Sequence, residues 1–180
     1  MNRRVFLLGL AGLAAQASGA LPADPSGSKA PEWKVADWLN SPPLQLAELR
    51  GKVLLVRWWT GPDCPMCASS LPVLEGWWRE LRGRGLVVIG FYHHKATGPI
   101  ASGHVAGQVG RFGMTFPVAT DPGWQTLREW WLGAAKRDFT SVTFLVGRDG
   151  RILQVREGGT IDTATSEGAA FEKTLRDALR

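Results

Sequence analysis

Trp58-Trp59-Thr60-Gly61-Pro62-Asp63-Cys64-Pro65-Met66-Cys67 contains the only two cysteines of the chain, separated by two residues. It follows Val53-Leu54-Leu55-Val56, a continuous apolar run that reads as a buried strand. It precedes Ala68-Ser69-Ser70-Leu71-Pro72-Val73-Leu74-Glu75-Gly76-Trp77-Trp78, whose apolar residues recur at helical spacing. Strand, short turn, Cys-Pro-Met-Cys and helix together place Cys64 at a helix N-terminus. There the unpaired backbone amides and the positive end of the dipole favour a thiolate over a thiol. The chemistry this arrangement suits is thiol–disulfide exchange, with Cys64 as the attacking sulfur and Cys67 as the resolving one. As a staple alone the bridge does little: it closes a loop of about four residues, and chain entropy then contributes about 2 kcal/mol, less than a longer loop provides.

The 180 residues are 44% hydrophobic and 21% charged, which suits one globular domain with a sizeable core. Met1 to Ala20 read as a signal peptide: Asn2-Arg3-Arg4 is a short positive region, Val5 to Ala15 an apolar core, and Ala17 or Ala20 a small-residue cleavage site. The apolar run is shorter than the ~20 residues a membrane span needs. Arg3-Arg4-Val5-Phe6-Leu7 also resembles a twin-arginine export signal. No cysteine lies near the cleavage region for a lipid anchor, and a retained membrane anchor is the alternative to cleavage. The net charge of +5 falls to +3 without Arg3 and Arg4. The remaining basic residues are interleaved with acids along helical stretches, a pattern of solvated faces that argues against nucleic acid.

Leu21 to Pro31 read as a flexible linker, so the folded domain is expected to span 32–180. Trp33 to Leu39 and Leu44 to Leu46 suggest short strands, Ala47 to Lys52 a helical turn ended by Gly51, and Val53 to Trp59 the central strand. Leu86 to Phe91 is a second apolar run, of the kind found in a parallel strand covered on both faces. Strand, helix, strand then implies a right-handed crossover. Pro99 to Phe112 read as a glycine-rich helix, Met114 to Ala119 as a short strand, and Asp121-Pro122 as the start of a helix over Gly123 to Leu132. Val142 to Val146 and Ile152 to Val155 flank an Asp149-Gly150 hairpin turn. Thr163 or Ser166 is expected to cap a last amphipathic helix. The nine tryptophans include three adjacent pairs, 58–59, 77–78 and 130–131. Each pair is expected to send one ring to the core and one toward the surface.

With these residues the chain resembles the thioredoxin-like superfamily, specifically the exported TlpA/ResA-type thiol–disulfide oxidoreductases and redoxins. The resemblance covers nearly all of Glu32 to Arg180. It is carried by Leu49-Arg50-Gly51-Lys52-Val53 through Thr60, by Cys64-Pro65-Met66-Cys67, by Leu71-Pro72, by Phe116-Pro117-Val118-Ala119-Thr120-Asp121, and by Thr143-Phe144-Leu145-Val146 before Arg148-Asp149-Gly150-Arg151. Trp38 to Leu44 also look like the start of the thioredoxin-like modules attached to DipZ-type proteins. The implied fold is α/β: a central mixed sheet flanked by helices, with extra short N-terminal strands. The implied partners are protein thiols and disulfides of the cell envelope, with a membrane electron donor as a candidate. A monomer in the periplasm or an equivalent exported compartment, with no cofactor, completes the expectation.

The chain departs from the family pattern in three places. Arg57 stands where the family carries an acid that moves protons for the buried cysteine, and a cation there favours thiolate instead. Asp63 directly precedes Cys64, where a carboxylate opposes thiolate. The loop expected to face the cysteines and pair with partner backbone, Thr140-Ser141-Val142-Thr143, lacks the family's cis-proline, and Ser141 occupies its place. His93 and His94 are candidate proton relays, but neighbours on an extended segment point opposite ways, so at most one faces the cysteines. The alternative functions use the same atoms. A Sco-like site would bind copper or zinc through Cys64, Cys67 and His93, His94 or His104, with Met66 as a soft accessory. A peroxiredoxin-like thiol peroxidase is a further reading, although Thr60 lies four residues before Cys64 rather than three. A redox-inert binding module is the last.

Overall fold

The computed structural model describes residues 21–61, 64–133 and 135–180. The signal peptide and Asp63 therefore lie outside the described residues. The six strands are β1 (Ala36–Leu39), β2 (Val53–Trp59), β3 (Leu86–Tyr92), β4 (Val118–Thr120), β5 (Val142–Val146) and β6 (Ile152–Glu157). They form one mixed sheet in the order β1-β4-β3-β2-β5-β6. β2, β3 and β4 run parallel, while β1, β5 and β6 pair antiparallel to their neighbours. The helices are α1 (Pro65–Leu81), α2 (His104–Arg111), the short α3 (Gln125–Leu127) and α4 (Ser166–Ala178).

All seven residues of β2 are buried, because the sheet is covered on both sides. Alternation splits them. Val53, Leu55 and Trp59 join the layer containing Cys67, Leu71, Leu74, Trp77, Phe171 and Leu175, drawn from α1 and α4. Leu54, Val56 and Trp58 join Trp33, Phe91, Trp130 and Phe144 on the other side. Both rings of the 58–59 pair are thus buried, contrary to expectation. A strand sandwiched between two layers has no solvent face to give to either ring. Trp130 and Trp131 are also both buried, and only Trp77-Trp78 divides as expected. Gly90 of β3 is where the wide ring of Trp59 fits, since a Cβ there would come within 3.1 Å of its Nε1 and 3.2 Å of Phe116.

Residues 21–31 are not a free linker. Lys29 bridges Arg151, Gly27 N–H donates to the Ile152 carbonyl and Ala30 N–H to that of Gly150, and Leu21 is buried. Backbone groups of Gly27, Ser28 and Ala30 pair with those of Gly150 and Ile152, at the turn and first residue of β6, instead of meeting water. The helix expected over Gly123 to Leu132 is broken. Gly123 and Trp124 both take positive φ, α3 starts only at Gln125, and Arg128–Leu132 is π-helical. The Asp121 carboxylate accepts from the N–H groups of Thr126 and Leu127 and from Trp58 Nε1, so it anchors this segment to β2. The glycine-rich helix shrinks to α2, and the cap of α4 is Thr165, whose hydroxyl accepts from Gly168 N–H. Among the described residues, no helix is long and apolar enough to cross a membrane.

Candidate active site

Cys64 is the N-cap of α1 and Pro65 its first residue, where a missing N–H costs nothing. Cys64 and Cys67 are joined as a disulfide, with Cα atoms 5.2 Å apart. The two sulfurs are not equivalent. Cys64 is half-buried and Cys67 fully buried. Cys64 Sγ accepts from Cys67 N–H at 3.2 Å, at the amide-rich end of the helix. Cys67 Sγ lies 2.9 Å from Ser141 Oγ.

The loop entering β5 lies against the buried cysteine through Ser141. Among the described residues there is no cis peptide bond, and Ser141 sits directly on the buried sulfur. Val142 begins β5 and is buried; Thr140 is half-buried and its Oγ1 lies 2.9 Å from His93 Nε2. A groove of about 140 Å³ opens beside Cys64, floored by Ser141 and Gly159. Its walls carry Lys95 and Asp138, together with Met66 and Phe139, which are 46% and 41% exposed although large and apolar. A larger hollow of about 300 Å³, between the edge strand β1 and the start of α2, contains neither cysteine.

Beneath the pair lies Arg57, fully buried on the same face of β2 as Leu55 and Trp59. Its Nη1 donates to Thr143 Oγ1 and to the Gly158 carbonyl, both at 2.9 Å, and Nη2 donates to the Gly159 carbonyl at 2.5 Å. No carboxylate pairs with it among the described residues. Burial, with a smaller contribution from nearby Arg156, pushes its pKa down to about 9, so it remains a cation at neutral pH. The Gly159 carbonyl also receives the Ser70 hydroxyl, which in turn accepts from Ile161 N–H. A Cβ at Gly159 would overlap Met66, so only glycine lets this loop lie against α1. Sequence reasoning found Arg57 but not this loop; the adjacent pair Gly158-Gly159 was the available signal.

The two histidines part as alternation requires. His93 is fully buried, with its ring edge-on to Trp124 at 5.3 Å. Burial, reinforced by Lys95 and then by Arg57, drives its pKa down to about 3, so it is neutral. Its Nε2 contacts Thr140, the neighbour of Ser141, rather than either cysteine. His94 turns to the other face, where Tyr92 Oη lies 3.1 Å from both His94 Nδ1 and His104 Nε2. Among the described residues, no three His, Cys, Asp or Glu side chains are grouped so as to hold a metal ion.

Residues 25–173 match the family model for redoxin. The chain belongs to the redoxin family. Among similar curated proteins, ResA of Halalkalibacterium halodurans, a thiol-disulfide oxidoreductase, is 26% identical over 79% of this redoxin and 74% of its own length. DipZ of Mycobacterium tuberculosis is 29% identical over 72% of this chain, which spans only 18% of that protein. Among solved structures, a Chlorobium tepidum protein assigned as the thiol:disulfide interchange protein DsbE superposes with a TM-score of 0.68 at 23% identity. That match covers 86% of this chain and 98% of the other. The thioredoxin-like fold of this redoxin is thereby established.

Proposed function

We propose that this redoxin is a thiol–disulfide oxidoreductase that exchanges disulfides with protein partners, with Cys64 attacking and Cys67 resolving. The observation that carries the reading is the asymmetry of the pair: one sulfur open to a groove at a helix N-terminus, bonded to a second that is buried behind it. A partner thiolate entering the groove reaches Cys64 and not Cys67, so the order of steps follows from access. The activity named for ResA, and the interchange activity assigned to the Chlorobium protein, agree with it.

The groove suits an extended polypeptide. Thr140 and Ser141 line it beside the disulfide, which supports reading the loop as the partner-binding one, and Met66 with Phe139 offers apolar contact. Export, a cell-envelope setting, a membrane electron donor and a monomeric state belong to the same proposal; they rest on the leader-like N-terminus and the family relatives. Among the described residues, metal binding by the cysteines finds no grouped third ligand to favour it.

The test is thiol-trapping mass spectrometry of the protein equilibrated against redox buffers from about −120 to −300 mV, the range of known exchangers. Interconversion of a Cys64–Cys67 disulfide with two thiols, together with accelerated insulin reduction lost in Cys64→Ser, is the expected result. A pair that stays in one state throughout that range rejects the proposal.

A further inference from the structure

Among the described residues each sulfur of the disulfide has one hydrogen-bond partner, and the two partners differ in kind. Cys64 Sγ receives a backbone N–H of the helix, whereas Cys67 Sγ is met by the side chain of Ser141 at 2.9 Å, both groups being buried. A sulfur in a disulfide carries no hydrogen, so the hydroxyl is the donor. Ser141 is held in place from both sides. Its carbonyl accepts from Gly158 N–H at 2.9 Å, and its neighbour Thr140 lies 2.9 Å from His93 Nε2. Behind it on the same face come Thr143 and the Arg57 guanidinium, and Lys95 and Asp138 stand at the groove. Among the described residues, Arg57, Lys95 and Asp138 are the charged groups facing the pair; His93 on the opposite face is neutral.

Resting on the exchange reaction proposed above, we infer that Ser141 is a positioning residue that holds Cys67 as a thiolate when the pair opens. In that reaction a partner thiolate attacks Cys64 Sγ and the Cys64–Cys67 bond breaks. Cys67 leaves with the electron pair, and a mixed disulfide joins the partner to Cys64. A second partner thiolate then attacks the mixed disulfide and releases Cys64, so the partner gains a disulfide and this chain becomes a dithiol. The Ser141 hydroxyl donates weakly to a neutral disulfide sulfur and strongly to the thiolate formed in the first step, because hydrogen bonds to charged acceptors are about twice as strong. A contact that is stronger in the reduced form stabilises that form and makes the couple more oxidising. In the reverse direction the same bond slows attack by Cys67 on a mixed disulfide, since a stabilised thiolate is a weaker nucleophile.

The experiment compares wild type, Ser141→Ala and Ser141→Thr. The first readout is the equilibrium constant with glutathione. The second is the pH dependence of Cys67 alkylation in a Cys64→Ser background, which needs no exchange to occur. Ser141→Ala is expected to favour the disulfide about tenfold more, a shift of about 30 mV toward more negative potential. It should also raise the pKa of Cys67 by about one unit. Ser141→Thr, which keeps the hydroxyl, should restore most of both. A potential and a Cys67 pKa unmoved in a folded Ser141→Ala, or moved equally by threonine, would overturn the inference. Failure of wild type itself to interconvert would sink the exchange reaction instead, and the alkylation profile would still report on Ser141.

Discussion

On the face of the sheet away from α1, Trp58 packs against Phe91 at 5.1 Å and Trp130 at 5.3 Å, and Trp130 against Phe144 at 5.2 Å, between ring centroids. On the face toward α1 the same two strands, β2 and β5, place Arg57 and Thr143 opposite each other in register, with Ser141 and Cys67 above them. Two sides of one ladder are thus filled with different chemistry. Aromatic rings offer large buried area, and the indole N–H of Trp58 is bonded to the Asp121 carboxylate. A buried guanidinium with no carboxylate partner among the described residues carries a desolvation penalty, offset here by hydrogen bonds from its Nη groups to two carbonyls and a hydroxyl. One face of these two strands is filled with rings, while the other sets polar groups beside the apolar core of α1 and α4, and the proposed control of the sulfurs belongs to that polar set.

That division can be broken by mutation. Trp58→Ala on the aromatic face is expected to cost about 3–5 kcal/mol in chemical denaturation while leaving the potential of the cysteines where it was. A large change in potential would show that the faces are not independent. Arg57→Met should cost less, about 1–3 kcal/mol, because the Gly158 carbonyl loses the Arg57 donor while the Gly159 carbonyl keeps Ser70. Its clearer effect should be on redox equilibrium, moving the potential to more negative values as a cation that favours thiolate is removed; an unchanged potential would confine Arg57 to holding the loop.

His93 sharpens the comparison through pH. Its pKa falls from an ordinary value near 6.5 to about 3 on burial, so the folded state binds fewer protons than the unfolded one. Its contribution is then fully present above about pH 6.5 and is lost as pH falls toward 3, by about 2 kcal/mol at pH 5. Urea titrations at pH 8 and pH 5 should show that loss in wild type and not in His93→Gln, beyond what the carboxylates contribute to both. Equal acid sensitivity in the two proteins would mean that the imidazole is already protonated in the fold.

Much of this was written in local pattern. The apolar runs at 53–56 and 86–91, the Asp149-Gly150 turn and the Cys-Pro-Met-Cys helix start announced strand, crossover, hairpin and site, because each depends on residues close in the chain. The tryptophan pairs misled for the opposite reason: whether a second ring finds a core depends on what covers the far side of the sheet, and that cover comes from residues 21–33 and 124–131. The apparent linker was misread likewise, since its partner strand β6 lies more than a hundred residues away.

What the sequence determined by itself is the pairing of two cysteines at a helix mouth, with a serine in the loop expected to face them and an arginine on the strand below. What only the tertiary structure decided is that the serine meets Cys67 and that the arginine is held by Thr143, Gly158 and Gly159. Hydroxyl, guanidinium and sulfur are brought into one column by the register of β2 against β5 and by the close approach of Gly159 to α1, and neither relation is carried by any single segment of the chain.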